Sequence, residues 1–356
     1  MLRPVLYNRA LTMQRHLTGF CLICGLSAAA LAQEPAKVER LGKGIDDIVP
    51  TDATIEKVAD GFTWTEGPIW IYQGYLLFAD IPGNAIEKMI PGHKPTVFMH
   101  PSGWNEATPY NGKEPGSNGM TLDSRLRLTV AGHARRNVWR LETMNPKGKI
   151  TVLADRFEGK RLNSPNDVVY KRDHSLYFTD PPYGLQTQSD EDPQKELKVN
   201  GVYRIDDAVN HAPGAPPDAS KLHLIVSDLP RPNGIAFSPD EKYLYVNCSD
   251  PKKKVWMRYT VQADGTVAEP KLILDVSDDP REGAPDGMKV DQKGNIYSTG
   301  PGGIWIFSAK LDHIGTIDIP ERTANLAWGA QDGKTLYIMA SGNVYTMRLK
   351  IAGVRP

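Results

Sequence analysis

The sequence has few cysteines and no excess of either charge, and both shortages narrow the range of functions. Only three of the 356 residues are cysteines, and two of them, Cys21 and Cys24, lie near the amino terminus. If that region is removed, Cys248 alone remains and no intrachain disulfide can form. The chain carries 42 basic and 42 acidic residues. Because nucleic-acid binding requires a basic surface, this balance argues against a nucleic-acid partner.

Helical periodicity and several common enzyme motifs are also missing. After residue 61 the apolar residues occur in short runs, without the three- and four-residue spacing of amphipathic helices. The nucleophile elbow G-x-S-x-G, the zinc-peptidase motif H-E-x-x-H and the phosphate-binding loop G-x-x-x-x-G-K-[ST] do not occur. These absences argue against a helix-rich fold, a serine hydrolase of the α/β type and a P-loop nucleotide-binding protein.

A long apolar stretch occurs at the amino terminus, where the pattern is that of a secretory signal peptide. Its three parts follow in order: Arg3, Arg9 and Arg15, then the apolar stretch Leu17 to Leu31, then the cleavage site Ala30-Leu31-Ala32. The alternative is a membrane anchor, but the stretch is short, contains Gly19 and Gly25, and has no stop-transfer pattern after it. We therefore predict that residues 1–32 are cleaved, with translation starting at Met1 or Met13, and that the protein is periplasmic or secreted without a stable membrane span.

The rest of the chain repeats one short cassette six times. Each copy begins with an acidic or amide residue, here called the opener, followed by a strand, a polar turn and a second strand. The openers are Glu66, Asn118, Asn166, Asn233, Asp286 and Asn325. Subtraction of neighbouring positions gives intervals of 52, 48, 67, 53 and 39 residues. A repeat of this size built from short strands predicts an all-β fold, a six-bladed β-propeller with one central channel.

The cassettes also set the predicted domain boundaries. We expect residues 33–60 to form a leader packed on the outside and residues 61–356 to form the propeller. Two polar stretches, 101–117 and 183–200, are predicted to be loops over one face, where binding specificity commonly lies. The stretch 207–220 is predicted to be an insertion in the third blade, which accounts for the longest interval.

The openers have the chemistry of ligands for a hard metal ion. Two of them are carboxylates and four are amides, and none is a histidine or cysteine. Oxygen ligands suit Ca²⁺, Mg²⁺ or Mn²⁺, and two carboxylates match a divalent charge. The alternative is turn chemistry, in which each Asn, Asp or Glu caps the backbone before a glycine. A set without any Ser or Lys favours the metal interpretation.

The motifs together resemble those of the gluconolactonase family, which includes regucalcin (senescence marker protein) and is similar in architecture to diisopropyl fluorophosphatase. The resemblance rests on TEGPIW, SNGMTLD, SPNDVVY, LYFTDPPYG, RPNGIAFSPDEKYLYV and PDGMKVDQKGNIY, and covers about residues 60–345. It implies one divalent metal in the channel, with Ca²⁺ as the first choice and Mg²⁺, Mn²⁺ or Zn²⁺ as alternatives. Matched by motif, the metal ligands would be Glu66, Asn166, Asn233 and Asp286, and Asn118 and Asn325 would line the channel.

The resemblance implies metal-dependent hydrolysis of a sugar lactone, with glucono-1,5-lactone giving gluconate. We predict Asp286 as the base or nucleophile, although it could serve only as a ligand, and His133 as a second catalytic residue that orients substrate or carries a proton. Predicted substrate contacts are Asn118, Asn166, Arg135 and Tyr183. Some relatives carry Arg where this chain has Ser164, so the substrate is less well defined than the metal. Two alternatives are hydrolysis of other lactones or phosphotriesters and a non-catalytic calcium- or ligand-binding propeller.

Overall fold

The computed structural model describes residues 33–356, which form six antiparallel sheets and one two-stranded hairpin. Two 3-10 helices, Ala208–Asn210 and Ala219–Lys221, are the only helices in this part of the chain. No helix within residues 33–356 is long and apolar enough to span a membrane. The predicted signal peptide lies outside the described residues. The prediction of an all-β, six-bladed propeller is confirmed.

Each sheet is one blade, and its strands pair in chain order from the axis outwards. Three strands precede the first blade: β1 (Gln33–Pro35), β2 (Val38–Arg40) and β3 (Thr54–Ala59). Blade 1 contains β4 (Thr65–Ile71), β5 (Tyr75–Asp80), β6 (Ala85–Met89) and β7 (Thr96–Met99). Blade 2 contains β8 (Met120–Leu122), β9 (Leu128–Gly132), β10 (Asn137–Leu141) and β11 (Ile150–Ala154). The hairpin of β12 (Arg156–Phe157) and β13 (Lys160–Arg161) follows it.

The remaining four blades repeat the same order. Blade 3 contains β14 (Val168–Tyr170), β15 (Leu176–Asp180), β16 (Gly201–Ile205) and β17 (Leu222–Val226). Blade 4 contains β18 (Pro232–Phe237), β19 (Tyr243–Asp250), β20 (Lys253–Val261) and β21 (Val267–Asp275). Blade 5 contains β22 (Met288–Val290), β23 (Ile296–Gly300), β24 (Gly303–Phe307) and β25 (His313–Asp318). Blade 6 contains β26 (Thr323–Gly329), β27 (Thr335–Ala340) and β28 (Asn343–Arg348).

The sixth blade is completed by a strand from the beginning of the described chain. Strand β3 pairs antiparallel with β28, with Glu56 opposite Thr346, and β1 pairs with the outer side of β3. Strand β2 adds to the outer edge of blade 5 by pairing with β25. The segment 33–60, predicted as a leader packed on the outside, therefore supplies edge strands of two blades, and blade 6 needs residues 54–59. This exchange closes the ring of blades by hydrogen bonds between strands that are far apart in sequence.

The hydrophobic core is divided among the six contacts between neighbouring blades. Six clusters of buried side chains are present, and each contains residues of two adjacent blades. Between blades 4 and 5, for example, Trp256 packs against Trp305 with ring centroids 5.3 Å apart. Because the inner strands of neighbouring blades also contact one another, the ends of these strands meet around one axis. The fold therefore gathers the equivalent residues of all blades at the channel.

Candidate functional site

The six openers lie at the start of the six inner strands and form a ring. The amide nitrogen of Gly119, which follows Asn118, donates to the carbonyl oxygen of Asn166 over 2.7 Å. Thr179 Oγ1 donates to the carbonyl oxygen of Asn233 over 2.7 Å. On the closing side of the ring, Asn325 Nδ2 donates to Glu66 Oε2 over 2.9 Å. Hydrogen bonds thus join the Asn118 segment to Asn166, the third blade to Asn233, and Asn325 to Glu66.

Glycines after the openers allow this close approach of neighbouring blades. A Cβ atom on Gly67 would lie 2.1 Å from the carbonyl oxygen of Asn118, and one on Gly234 would lie 2.1 Å from the carbonyl oxygen of Asp286. Gly67 also has a φ of 52°, a conformation that favours glycine. The glycines that follow Glu66 and Asn233, which could also have served in turns, therefore allow the neighbouring inner strands to come close together at the ring.

Two amide oxygens in the ring are buried without a hydrogen-bond donor. Asn118 Oδ1 and Asn233 Oδ1 have no partner among the described residues. The orientation of Asn233 is fixed, because its Nδ2 donates to Ser249 Oγ over 3.1 Å. Buried polar atoms are nearly always paired in folded proteins, so these two oxygens are available to a group bound in the ring. Asn325 differs, since its Oδ1 accepts from the amide of Leu326 over 2.8 Å and its Nδ2 binds Glu66.

The two carboxylate openers lie in an environment that disfavours their negative charge. The Glu66 side chain is 2% exposed, and its Oε2 accepts hydrogen bonds from the amide of Gly67 over 2.8 Å and from Asn325. Burial raises the pKa of Glu66 to about 7 in spite of these bonds. Asp286 is half-buried, and burial together with the negative charge of Glu66 raises its pKa well above the usual value. A cation between the two carboxylates would remove this penalty.

An ion pair lies at the inner side of the ring. Asp167 follows the opener Asn166, accepts from the amide of Val168 over 2.9 Å, and lies 3.5 Å from the ammonium group of Lys289. Lys289 is on β22, three residues after Asp286, and its positive charge lowers the pKa of Glu66. Because it neutralises Asp167, the carboxylates left to balance a divalent ion are Glu66 and Asp286.

A cavity of about 230 Å³ lies farther along the channel and is distinct from the ring. Its wall contains Lys289 and later residues of the inner strands, including Ile69, Leu122 and Ile235, but none of the openers. Since a strand advances about 3.3 Å per residue, Ile69, Leu122 and Ile235 lie roughly 7–13 Å along their strands from the openers. The volume of the cavity therefore says nothing about the chemistry of the openers.

Tyr183 is connected to the opener Asn233 through Ser249. Its hydroxyl group is 2.6 Å from Ser249 Oγ, and the guanidinium group of Arg231 lies 5.2 Å from the centre of its ring. Burial raises the pKa of Tyr183 to about 12, so the hydroxyl stays protonated at neutral pH. Arg322, on the blade 6 side, lies over Trp64 at 5.2 Å, and its charge lowers the pKa of Asp286.

Two predicted site residues, His133 and Arg135, bind other groups of the protein. The His133 ring is fully buried, with Nδ1 3.1 Å from the carbonyl oxygen of Pro165 and Nε2 2.7 Å from Glu114 Oε2. With both nitrogens occupied, the ring itself has no free position for a substrate. Arg135 Nε donates to the carbonyl oxygen of Gly103 over 2.6 Å, so this side chain holds the 101–117 loop.

Glu114, Ser249 and Lys289 lie close to the predicted site residues but were not predicted from the sequence. Glu114 and Ser249 do not belong to the repeat, so the regular interval between the openers could not identify them. Lys289 could have been found, because it is the one basic residue on the described inner strands. No group of three or more His, Cys, Asp or Glu side chains within residues 33–356 is arranged to hold a metal. The candidate set has two carboxylates and takes its other oxygens from amides.

Comparison with known proteins assigns the chain to a family. The sequence model of the SMP-30/Gluconolactonase/LRE-like region matches residues 64–342, which includes all six openers. The chain belongs to this family. Among its members, a gluconolactonase of Zymomonas mobilis is 36% identical over 326 residues, which are 89% of this chain and 87% of that protein.

Solved structures agree in fold over nearly the same length. A gluconolactonase of Xanthomonas campestris superposes with a TM-score of 0.72 at 27% identity, covering 90% of this chain and 99% of that one. A second crystal structure, proposed to be a gluconolactonase, gives a TM-score of 0.75 at 28% identity and covers 90% of this chain and 100% of that one. This member of the SMP-30/gluconolactonase family therefore shares its propeller fold with proteins named as gluconolactonases.

Proposed function

We propose that the protein is a metal-dependent lactonase that hydrolyses a sugar lactone such as glucono-1,5-lactone to gluconate. The observation that carries the proposal is the ring of openers, in which two carboxylates and two unpaired amide oxygens occur at one end of the channel. Membership of the family and the 36% identity to a gluconolactonase support the substrate class. A hydrolase of other lactones or phosphotriesters is the second enzyme hypothesis, and a non-catalytic ion-binding propeller is the third.

The residues present fit a divalent cation. Glu66 and Asp286 would supply two negative charges, and Asn233 would supply an oxygen whose direction is already fixed by Ser249. Asn166, with a buried side chain on the neighbouring blade, would supply the fourth oxygen. Oxygen-only ligands favour Ca²⁺, Mg²⁺ or Mn²⁺ over Zn²⁺, and we propose Ca²⁺ first. Asn118 has an unpaired oxygen as well and is proposed as a channel-lining substrate contact.

The chemistry of the proposed reaction divides among these residues. A divalent cation held by the ring would polarise the lactone carbonyl group. Asp286, half-buried at the ring, would take the proton of the attacking water. Direct attack by Asp286 and a role only in ion binding are the other possibilities for this residue. Tyr183, which stays protonated, would donate to or accept from the substrate at the mouth.

A lactone panel assayed by acid release tests the proposal. The protein is stripped with EDTA and measured on glucono-1,5-lactone, on unsubstituted lactones and on a phosphotriester, before and after addition of Ca²⁺, Mg²⁺ or Mn²⁺. We expect metal-dependent acid release with the sugar lactone. Metal binding without turnover of any compound would favour the non-catalytic propeller, and turnover of the phosphotriester alone would favour the second enzyme hypothesis.

We further propose that the protein is exported and acts in the periplasm or outside the cell, on the basis of the basic, apolar and Ala-Leu-Ala pattern of residues 1–32. Amino-terminal sequencing of the protein from fractionated cells should find Gln33 as the first residue. An intact amino terminus in the cytoplasmic fraction would contradict export.

A further inference from the structure

The two polar loops of the mouth are joined to each other. The hydroxyl group of Tyr110, in the 101–117 loop, donates to the carbonyl oxygen of Gly184 in the 183–200 loop. Gln188 Nε2 donates to Glu114 Oε1 over 2.8 Å and to the carbonyl oxygen of Tyr183 over 3.1 Å. The loops therefore form one wall, and Glu114 is the carboxylate at the point where they meet.

Glu114 is held in place by donors on both of its oxygens. Gln188 binds Oε1, and Nε2 of His133 lies 2.7 Å from Oε2. On the other side of the ring, the carbonyl oxygen of Pro165 can only accept, so His133 Nδ1 carries a hydrogen. Nε2 makes the short contact to Glu114 on the opposite side of the ring. The buried imidazole thus fixes both the position and the direction of the carboxylate.

Glu114 nevertheless keeps acceptor capacity towards the mouth. Its side chain is 21% exposed, whereas that of His133 is fully buried. A carboxylate can accept about four hydrogen bonds, and the two that the structure shows leave positions free. Contacts connect the group to the ring, because Gln188 also binds the carbonyl oxygen of Tyr183, and the Tyr183 hydroxyl group lies 2.6 Å from Ser249 Oγ, which binds the opener Asn233. A ligand bound beside Asp286 would therefore meet the Glu114 carboxylate, which is fixed in place and can only accept hydrogen bonds.

We propose that Glu114 is a further substrate-contacting residue that accepts a hydrogen bond from a hydroxyl group of the lactone, and that His133 is its positioning residue. The inference rests on the proposed lactonase function and deepens it. The acceptor selects lactones that carry hydroxyl groups over unsubstituted lactones and over phosphotriesters, which have no donor to offer. His133 acts through Glu114, without contact to the substrate.

The test compares two substrates that differ in their hydroxyl groups. The kcat/KM values of the metal-loaded protein are measured for glucono-1,5-lactone and for δ-valerolactone, and their ratio is the readout. Glu114→Ala should lower the ratio about 10- to 100-fold, as expected for loss of a hydrogen bond to a charged acceptor. Glu114→Gln, which keeps the shape, should lower it in the same direction. Calcium affinity measured by calorimetry should stay unchanged, because Glu114 is not a proposed ligand.

A double-mutant cycle separates positioning from a general structural effect. His133→Asn alone should lower the ratio, but it should have no further effect on the ratio when Glu114 is already alanine. Tyr110→Phe is the matched control, since it removes a bond between the same loops without touching Glu114. It should leave the ratio unchanged.

The outcomes for the two proposals are distinct. If the wild-type protein hydrolyses neither lactone, the proposed function itself fails. If it hydrolyses both and the Glu114 variants change both kcat/KM values equally, or change neither, the Glu114 inference is overturned. If Tyr110→Phe lowers the ratio as much as Glu114→Ala does, the effect comes from the ordering of the two loops, and the Glu114 inference is again overturned.

Discussion

Replacing Ser249 by alanine should weaken divalent-metal binding although Ser249 is not one of the proposed ligands. Its Oγ accepts a hydrogen bond of 3.1 Å from Asn233 Nδ2 and lies 2.6 Å from the Tyr183 hydroxyl group. The first bond decides which end of the Asn233 amide faces the ring. Without it, the amide can turn over and present its NH₂ group where the oxygen should be.

The expected size of this effect follows from the bond that is lost. One neutral hydrogen bond contributes about 0.5–1.5 kcal/mol, and partners that orient metal ligands typically change metal affinity about 10- to 100-fold. Because Ser249→Ala removes only one bond to a proposed ligand, that to Asn233, and leaves all proposed ligands in place, we expect the lower end, a loss of about 10-fold in affinity.

Calorimetric titration of the EDTA-stripped protein with Ca²⁺ and Mn²⁺ measures this loss directly. Tyr183→Phe is the control, because it removes the second contact of Ser249 but keeps the bond to Asn233. We expect its affinity to change less than about 3-fold. If Ser249→Ala binds as tightly as the wild type while Asn233→Ala does not bind, the amide does not need orientation and the reasoning is refuted.

Three further predictions follow from the same structure. The pKa of Glu66 rises from 4.5 to about 7 on folding. In the metal-free protein its contribution to stability is therefore full below about pH 4.5 and is lost as the pH rises through about 7. Urea unfolding between pH 4 and 8 should show this fall, and Glu66→Gln should make it smaller without abolishing it, because Asp180 and Asp286 also have raised pKa values. The same variant should weaken metal binding most. Asp286→Asn should abolish turnover while part of the metal affinity remains, and an unchanged kcat would remove Asp286 as the base. Ile55→Ala on β3 should lower the free energy of unfolding by about 2–5 kcal/mol in urea titrations, whereas Val38→Ala, half-buried on β2, should cost clearly less; equal losses would mean that β3 does not close the ring.

The ring of openers could be predicted from the sequence because, in a repeat fold, residues at equivalent places in each repeat come to lie at equivalent places in each blade. Once six cassettes are recognised, the fold places equivalent residues around one axis without any knowledge of individual contacts. The repeat alone predicts that Glu66, Asn118, Asn166, Asn233 and Asp286 lie together, and contacts in the structure connect neighbouring members of this set across the blades. Their chemical roles are a separate matter, which depends on the direction of single atoms.

The residues around the ring could not be predicted because they lie outside the repeat. Ser249 comes from the second strand of blade 4, and Glu114 comes from a loop that only one blade has. The same limit applies to His133, which the sequence analysis proposed as catalytic on the basis of its imidazole. Its burial against Pro165 and Glu114 depends on two loops that fold over it, and no local pattern describes that contact.

The role of residues 54–59 as a strand of blade 6 could not be predicted for a different reason. Strand β3 is a short, half-polar segment whose partner, β28, lies near the other end of the chain. Pairing over such a distance leaves no local signal. The sequence therefore indicated a leader, and only the register of β3 against β28 shows that the segment is part of blade 6.

Closure of the propeller and construction of the site depend on the same place in the chain. Thr65 donates its backbone amide to the carbonyl oxygen of Ser341 over 2.7 Å, and its hydroxyl group bonds to Ser341 and Asn343 over 3.0 Å. Glu66 is the next residue and receives its orienting bond from Asn325 on the same last blade. The carboxylate therefore takes up its position only when the two ends of the chain meet. A cation held by Glu66 and by Asp286 of blade 5 would in turn connect blade 1 to blade 5, so metal binding should oppose opening at this seam.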